Sequence, residues 1–183
     1  MAEQVTTERL VLRPWRPDDA EVALGVYGAA EVSRWLSPTV GSVPDADAMR
    51  QVLERWAVED DGLLPPAGHW AIEVRGENRV VGGATLLPLP PARVDLEIGW
   101  ELHPDAWGNG YATEAGRALA RWAFAEGWDE LMAVARPANT RAIATARRIG
   151  MEWVGETDKY YDLRLQVFRL RAGDFRHADP QAS

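Results

Sequence analysis

The residues with the clearest chemical meaning form a glycine loop between a strand and a helix. Residues 95–124 pass from alternating apolar and acidic positions, through Trp107-Gly-Asn-Gly-Tyr-Ala112, into the apolar spacing of a packed helix. Gly108 and Gly110 have no Cβ atoms, so successive backbone N–H groups can converge on an anion at the positive end of that helix. The pattern therefore predicts a site for a phosphate or pyrophosphate.

Other kinds of glycine loop fit this segment less well. A dinucleotide-binding fingerprint needs a third glycine where this chain has Thr113, and a P-loop needs a lysine that the segment lacks. An Asn109-Gly110 hairpin turn needs a following strand, whereas residues 113–124 have the period of a helix. The anion-binding loop at a helix start is the interpretation that remains.

The strand before the loop supplies carboxylates for acid–base chemistry. Between 95 and 102, apolar residues alternate with Asp95, Glu97 and Glu101, so one face is apolar and the other acidic. A carboxylate placed beside a bound substrate can act as a general base. Glu97 is the first candidate, and Asp95 and Glu101 are alternatives on the same face.

The composition excludes several kinds of site. The chain has no cysteine, so its own side chains can form no disulfide, thiolate metal site or thioester. The histidines, His69, His103 and His177, show no metal-ligand spacing, so no metal is predicted. The net charge of -8 argues against nucleic acid as a partner.

Targeting signals are not evident. No apolar run reaches the roughly 18 residues of a membrane span. The N-terminus lacks the basic segment and apolar stretch of a secretory signal. These observations predict a cytoplasmic protein without a membrane partner.

The remaining patterns predict one domain over 1–183, with a core over about 7–170 and a tail over 176–183. Helices are predicted to begin near 16, 42, 113 and 139. Strands are predicted at 7–15, 69–75, 79–87, 95–102, 131–135, 151–156 and 163–170. The predicted fold class is α/β of the α+β type, a mixed, mostly antiparallel twisted sheet of about six or seven strands flanked by helices. One parallel unit with a right-handed crossover spans 95–135.

These motifs together resemble the GNAT acetyltransferases, which transfer an acyl group from acyl-coenzyme A to an amine. The superfamily loop reads Gln/Arg-x-x-Gly-x-Gly/Ala; Gly110 and Ala112 match it, and Trp107 stands at the Gln/Arg position. The run Trp-Gly-x-Gly-Tyr-Ala-Thr-Glu and the opening Thr7-Glu-Arg-Leu-Val-Leu-Arg13 resemble the RimJ/RimL-like branch, named for ribosomal-protein N-terminal acetyltransferases. The resemblance covers about 7–170.

The resemblance implies the GNAT acyl-CoA N-acyltransferase fold and acetyl-CoA (coenzyme A) as the cofactor. Loop amides from Gly108 to Thr113 would hold the pyrophosphate, and the backbone near Leu102 and His103 would pair with the pantetheine arm. Asn139 would open the second cofactor helix, a role compatible with an ordinary helix cap. The implied cofactor-binding residues are Leu102, His103, Trp107, Gly108, Asn109, Gly110, Tyr111, Ala112, Thr113 and Asn139.

The same resemblance implies direct transfer in a ternary complex, which also suits a chain without cysteine. It places Glu97 as the general base and a backbone amide near His103 against the oxyanion. Where many members have a tyrosine acid this chain has Ala146, and where RimL-like members have a serine it has Ala142. The proton for the thiolate is then left to water or to another residue. Of Tyr160 and Tyr161, the predicted catalytic residue is Tyr160.

The predicted function is an N-acetyltransferase that acts on a primary amine, either a protein N-terminal α-amine or a small-molecule amine. Two alternatives stay open: a longer acyl-CoA donor, and a non-catalytic coenzyme A-binding regulator. The segments expected to line the acceptor site, such as 29–44, carry no recognisable motif, although Trp35 is expected to line a pocket there. The sequence leaves monomer and homodimer open.

Overall fold

Eight strands form one mixed sheet. The computed structural model describes residues 3–178 apart from 37, 39, 42 and 93. The strands are β1 (Val5–Thr6), β2 (Leu10–Pro14), β3 (Gly68–Val74), β4 (Arg79–Pro88), β5 (Leu96–Leu102), β6 (Glu130–Ala135), β7 (Glu152–Thr157) and β8 (Leu165–Arg171). Their order is β1-β2-β3-β4-β5-β6-β8-β7. Every neighbouring pair is antiparallel except β5 and β6, which confirms the predicted sheet class.

The N-terminal end of the sheet differs from the prediction. The expected strand over 7–15 is wrong at its start, because the chain turns at Thr7, whose N–H and hydroxyl both bond the Leu10 carbonyl. Val5–Thr6 then forms a separate short strand that pairs with β2. This extra strand raises the count to eight, one more than the sequence patterns suggested.

Six helices cover the two faces of the sheet. They are α1 (Ala20–Tyr27), α2 (Ala30–Ser33), α3 (Ala46–Asp61), α4 (Tyr111–Ala125), α5 (Thr140–Ile149) and α6 (Ala172–Ala178), counted over the described residues. Asp45 caps α3, with its side chain accepting from the Ala48 N–H at 2.8 Å, whereas Ser42 of the predicted helix start lies outside the described residues. None of these helices combines the length and apolar character needed to cross a membrane.

The C-terminal tail was predicted over 176–183. Residues 176–178 instead continue α6, which begins directly after β8 and packs Phe175 into the main core. The expectation of a tail is therefore wrong for 176–178, and 179–183 lie outside the described residues.

Alternation along the strands decides which helices pack on which face. Trp70 and Ile72 of β3 join the main core with α4, whereas Ala71 between them faces the cluster of α1 and α3. On β5, Leu96 and Ile98 likewise face α4. The intervening residues of β5 therefore point toward the α1–α3 side of the sheet.

The parallel strands β5 and β6 separate soon after they meet. They are in register only at Glu97 and Met132, and α4 makes the crossover between them. A cavity of about 650 Å³ opens there, lined by residues of both strands. The backbone of β5 beyond Ile98 thus has no strand partner on the β6 side, as a site for an extended ligand requires.

Candidate active site

The glycine loop has the geometry that its sequence predicts. Gly108 and Gly110 have φ angles of 81° and 77°, in the left-handed region that favours glycine. Helix α4 starts at Tyr111, and no described side chain caps its first turn. Because uncapped first-turn N–H groups and the helix dipole both favour an anion, a pyrophosphate fits here.

Most of the loop opens on the cavity. Gly108, Gly110, Tyr111, Ala112 and Thr113 all line it. The Asn109 side chain instead turns back toward the chain before it. Its amide donates to the backbone carbonyls of Ala106 and Trp107 at 3.1 and 3.2 Å. Asn109 therefore shapes the loop from within, and the structure does not bring its side chain to the cavity.

Trp107 connects the loop to two neighbouring elements. Its indole N–H donates to the carbonyl of Leu102, at the end of β5, at 3.1 Å. The guanidinium of Arg141, on α5, lies 3.4 Å from the centre of its ring. Trp107, which stands at the family's Gln/Arg position, thus connects the end of β5, the loop and α5.

The start of α5 is as predicted. Asn139 is the residue before the helix, and its side-chain oxygen accepts from the Ala142 N–H at 3.2 Å. Asn139 also lines the cavity. The capping role is therefore observed, and the position suits a contact with the cofactor as well.

Three arginines on the cavity wall escaped the sequence analysis. Arg141 and Arg148 are seven residues apart on α5, a spacing that places them on one helix face, and Arg136 follows β6. In the sequence, the seven-residue spacing of Arg141 and Arg148 after Asn139 could have indicated two arginines on one face of that helix. Guanidinium groups bind phosphates through charge-assisted hydrogen bonds, so these residues suit the charge of coenzyme A.

The end of β5 only partly matches expectation. Leu102 lines the cavity, but His103 is not among its lining residues. The His103 N–H donates to the Val81 carbonyl at 2.8 Å, so this amide is already satisfied within the sheet. The His103 amide is therefore not free to meet an oxyanion.

Glu97 lines the cavity, and its carboxylate accepts a 2.8 Å hydrogen bond from the Tyr161 hydroxyl. Burial raises the pKa of Glu97 to about 7, although the Tyr161 bond acts in the opposite direction. A carboxylate with that pKa is partly ionised near neutral pH and can accept a proton. This is the property that general-base chemistry requires.

Glu101 lies on the same face of β5 and lines the same cavity. Burial, and then the nearby charge of Glu97, raise the pKa of Glu101 to about 8. Asp95, the other predicted alternative, precedes β5 and accepts from the Tyr160 hydroxyl at 3.2 Å. Of the alternatives to Glu97, the structure brings only Glu101 to the cavity.

The two neighbouring tyrosines point to different places. Tyr161 lines the cavity, whereas Tyr160 is 6% exposed and packs in a small cluster with Leu89 and Leu165. Tyr161 and Asp162 both have positive φ angles, 58° and 54°, so the backbone turns sharply here. Burial, then Asp95, raise the pKa of Tyr160 and keep its proton in place. The phenol beside Glu97 is thus that of Tyr161.

Another part of the cavity wall is aromatic. Trp35 and Trp56 line it, the first as predicted, and His69 stacks on Trp56 with ring centres 4.7 Å apart. The His69 Nδ1 is 2.7 Å from an Asp60 carboxylate oxygen, which holds the imidazole in place. Within the described part of the chain, no group of three His, Cys, Asp or Glu side chains could hold a metal ion.

Comparison with known proteins gives a family for this arrangement. A family model described as an acetyltransferase (GNAT) domain matches residues 9–152. The uncharacterized N-acetyltransferase p20 of Bacillus licheniformis is 26% identical over 84% of this chain and 84% of its own length. The FsC-acetyl coenzyme A-N(2)-transacetylase of Aspergillus fumigatus is 30% identical over 85% of this chain and 68% of its own length.

Solved structures share the fold. A putative ribosomal-protein-serine acetyltransferase from Vibrio cholerae has a TM-score of 0.76 at 20% identity, covering 93% of this chain and 99% of that one. RimL, a ribosomal L7/L12 α-N-protein acetyltransferase solved with coenzyme A, has a TM-score of 0.73 at 16% identity, covering 92% and 98%. The resemblance to the RimJ/RimL-like branch is thus matched at the level of fold.

The family match covers well over half of the chain and includes the loop, the separated strands and the second cofactor helix. It shows an acyl-CoA-dependent enzyme whose cosubstrate is acetyl-CoA. This chain belongs to the GNAT acetyltransferase family.

Proposed function

We propose that this acetyltransferase transfers acetyl from acetyl-CoA directly to a primary amine, on a small molecule or a protein N-terminus, with Glu97 as the general base. The observation that carries the proposal is the Glu97 carboxylate, enclosed in the cavity with a pKa raised to about 7. Its neighbour Glu101 holds a proton up to a higher pH. One of the two carboxylates is therefore ready to accept a proton near neutral pH.

The donor half of the cavity suits coenzyme A. The amides of the glycine loop and the guanidinium groups of Arg136, Arg141 and Arg148 would hold its phosphates, and the unpaired edge of β5 would lie beside its arm. Bound acetyl-CoA supplies an activated acetyl thioester. With no cysteine in the chain, the amine must attack that thioester itself.

The proton steps fall to the chain's own residues. Glu97 takes a proton from the acceptor ammonium and leaves a neutral amine, which is nucleophilic. Tyr161, whose hydroxyl already bonds Glu97 in the cavity, replaces Tyr160 as the candidate acid for the leaving thiolate. Tyr160 donates to Asp95 outside the cavity, so a direct catalytic role is not what its position supports.

Both acceptor classes have support. The name of the Aspergillus fumigatus relative describes acetyl transfer to a numbered nitrogen of FsC, which favours a small-molecule amine. That of RimL describes a protein α-amine, at the level of a shared fold only. The acidic and aromatic wall of Glu31, Trp35, Glu97 and Glu101 suits a cationic amine of either class.

The test is thiol release from acetyl-CoA across N-terminal peptides, polyamines and amino antibiotics. The Glu97→Gln variant runs beside the wild type, and the exposed carboxylate of α3 in Glu54→Gln serves as a matched control. Thiol release with a peptide but not with small amines would indicate N-terminal acetylation. Thiol release with a small amine but not with peptides would indicate a small-molecule acceptor. Full activity in Glu97→Gln would remove Glu97 as the base.

Two further predictions can be checked with the same protein. Propionyl-CoA and longer donors in the assay distinguish acetyl transfer from wider acyl transfer. The native mass in solution decides between monomer and homodimer. The single-domain organisation over 1–183 and the cytoplasmic location stay predictions from the sequence.

A further inference from the structure

The outer side of the cofactor loop is held by a residue from the N-terminal end of the chain. Arg9 lies in the turn before β2, a hundred residues from the loop. One of its guanidinium nitrogens, Nη1, donates to the carbonyl of Asn109 at 3.0 Å. A second, Nη2, would lie 3.5 Å from a Cβ added at Gly110, so Arg9 packs directly against the loop backbone.

This contact determines which way the next peptide N–H points. A trans peptide is planar, and its carbonyl oxygen and amide hydrogen point in opposite directions. Because the Asn109 carbonyl points at Arg9, the Gly110 N–H points away from Arg9. Gly110 also lines the cavity. An N–H that points away from Arg9 is thus placed to face the pyrophosphate site.

Glu114, in the first turn of α4, holds Arg9 in this position. One carboxylate oxygen accepts from the Thr7 hydroxyl at 2.6 Å and the Arg9 backbone N–H at 2.9 Å. The other accepts from Arg9 Nε at 2.6 Å. Burial alone would raise the pKa of Glu114, but the hydrogen bonds from Thr7 and Arg9 outweigh it and lower the pKa, so the carboxylate stays ionised.

We propose that Arg9 is a positioning residue for coenzyme A, which acts through the Asn109 carbonyl to direct the Gly110 N–H at the pyrophosphate, and that Glu114 and Thr7 hold Arg9 for this purpose. A guanidinium on the carbonyl also polarises the peptide and strengthens its N–H as a donor. The proposal explains why Thr7 and Arg9 stand in the turn before β2 and why Glu114 stands in the first turn of α4. It rests on the family's cosubstrate and requires no particular acceptor.

The experiment measures the dissociation constant of coenzyme A by calorimetry for the wild type, Arg9→Met and Arg9→Lys. Losing the oriented donor should raise the constant about three- to tenfold in Arg9→Met, the range of one net hydrogen bond. Arg9→Lys, which keeps the charge and can still reach a carbonyl, should lose less. With any active acceptor, KM for acetyl-CoA should rise by the same factor while kcat is unchanged, a split that a purely structural role would not produce.

A shortened ligand locates the effect. The 3′-dephospho form of coenzyme A keeps the pyrophosphate, so Arg9→Met should weaken it by the same factor as coenzyme A. Weakening of coenzyme A alone would mean that Arg9 contacts the 3′-phosphate directly, and would overturn the proposal. An unchanged dissociation constant in a folded Arg9→Met would also overturn it.

The matched control is Arg79→Met. Arg79, the first residue of β4, is half-exposed like Arg9 and also pairs with a glutamate, Glu77 at 3.0 Å, but outside the cavity. This variant should bind coenzyme A as the wild type does. If Arg9→Met fails to fold, Glu114→Gln decides: an unchanged dissociation constant for coenzyme A in that variant would refute the proposal. Because no acceptor is involved in binding, an acceptor panel without a hit leaves this test valid.

Discussion

The two halves of the cavity are built in different ways. The donor half is a continuous stretch of chain, the loop 107–113 and the turn of helix after it, held from outside by Arg9 and Glu114. The acceptor half is assembled from separate elements: Trp35 after α2, Trp56 on α3, His69 on β3 and the glutamates of β5. In the proposed binding mode, the backbone amides of one loop, with arginines beside them, hold the phosphates in the first half, whereas side chains from separate elements form the second.

This difference predicts that one half tolerates substitution better than the other. A pyrophosphate is the same in every acetyl-CoA reaction, so a fixed set of amides serves it. An acceptor site built from side chains on four separate elements can change one residue at a time without disturbing the loop. We therefore expect variants in the acceptor half to alter rate and variants in the donor half to alter affinity.

The largest effect should follow from Glu97→Gln. Removing a general base lowers kcat by about 10²- to 10⁴-fold, while KM for acetyl-CoA should change little, because Glu97 is outside the phosphate loop. The wild-type rate should also fall as the pH drops through about 7, since Glu97 then becomes protonated. Steady-state kinetics from pH 5.5 to 9 checks both statements. A low-pH limb near 7 that persists in Glu97→Gln would assign that ionisation elsewhere.

The next largest effect should follow from Gly110→Ala, in the other half. A Cβ at a φ of 77° costs roughly 1–2 kcal/mol, and the loop would relax by rotating the peptide that faces the anion. The dissociation constant of coenzyme A should therefore rise by roughly tenfold. Calorimetry measures it, and single-turnover kinetics at saturating acetyl-CoA should show a rate close to that of the wild type. A large loss of rate with unchanged affinity would reverse the contrast between the halves.

The contrast between one continuous loop and a site built from separate elements also separates what could be predicted from the sequence from what could not. The glycine loop, the Asn139 cap and the sheet class were predictable, because each depends on a local pattern of residue types. Arg9 was not predicted as a partner of the loop, since a turn a hundred residues away carries no local sign of where it will pack. Tyr160 and Tyr161 were indistinguishable for a similar reason. The sharp turn at Tyr161 and Asp162, which both have positive φ angles, is visible only in the structure, where the Tyr161 hydroxyl bonds Glu97.

Those tyrosines provide a smaller test within the acceptor half. Tyr161→Phe removes the hydroxyl that bonds Glu97 and is the candidate acid. Because water can protonate the weakly basic coenzyme A thiolate instead, kcat should fall only several-fold, by the worth of about one hydrogen bond. The substitution should also raise the pH of the low-pH limb, because the lost bond was lowering the pKa of Glu97. Tyr160→Phe breaks only the bond to Asp95 and should leave the rate near that of the wild type. Equal losses in the two variants would contradict the separate roles.

The smallest effect concerns stability. Folding raises the pKa of Glu101 from 4.5 to about 8, so the folded protein binds the proton more tightly and is destabilised as the pH rises through that interval. Glutamine resembles the protonated acid. Glu101→Gln should therefore melt close to the wild type at pH 5 and above it at pH 8.5. The carboxylate faces an open cavity, so the gain should be on the order of 1 kcal/mol, about 2–4 °C.

Thermal melts of the protein without ligand at both pH values check this, with Glu77→Gln in the exposed β3–β4 turn as the control. A gain in melting temperature that appears only at high pH would show that the acceptor half keeps its carboxylates at a cost in stability. A donor-half variant such as Arg9→Lys should show no such dependence, since its partner Glu114 has a lowered pKa and stays ionised throughout that range. The pH dependence of the gain therefore separates the two halves even before an acceptor is known.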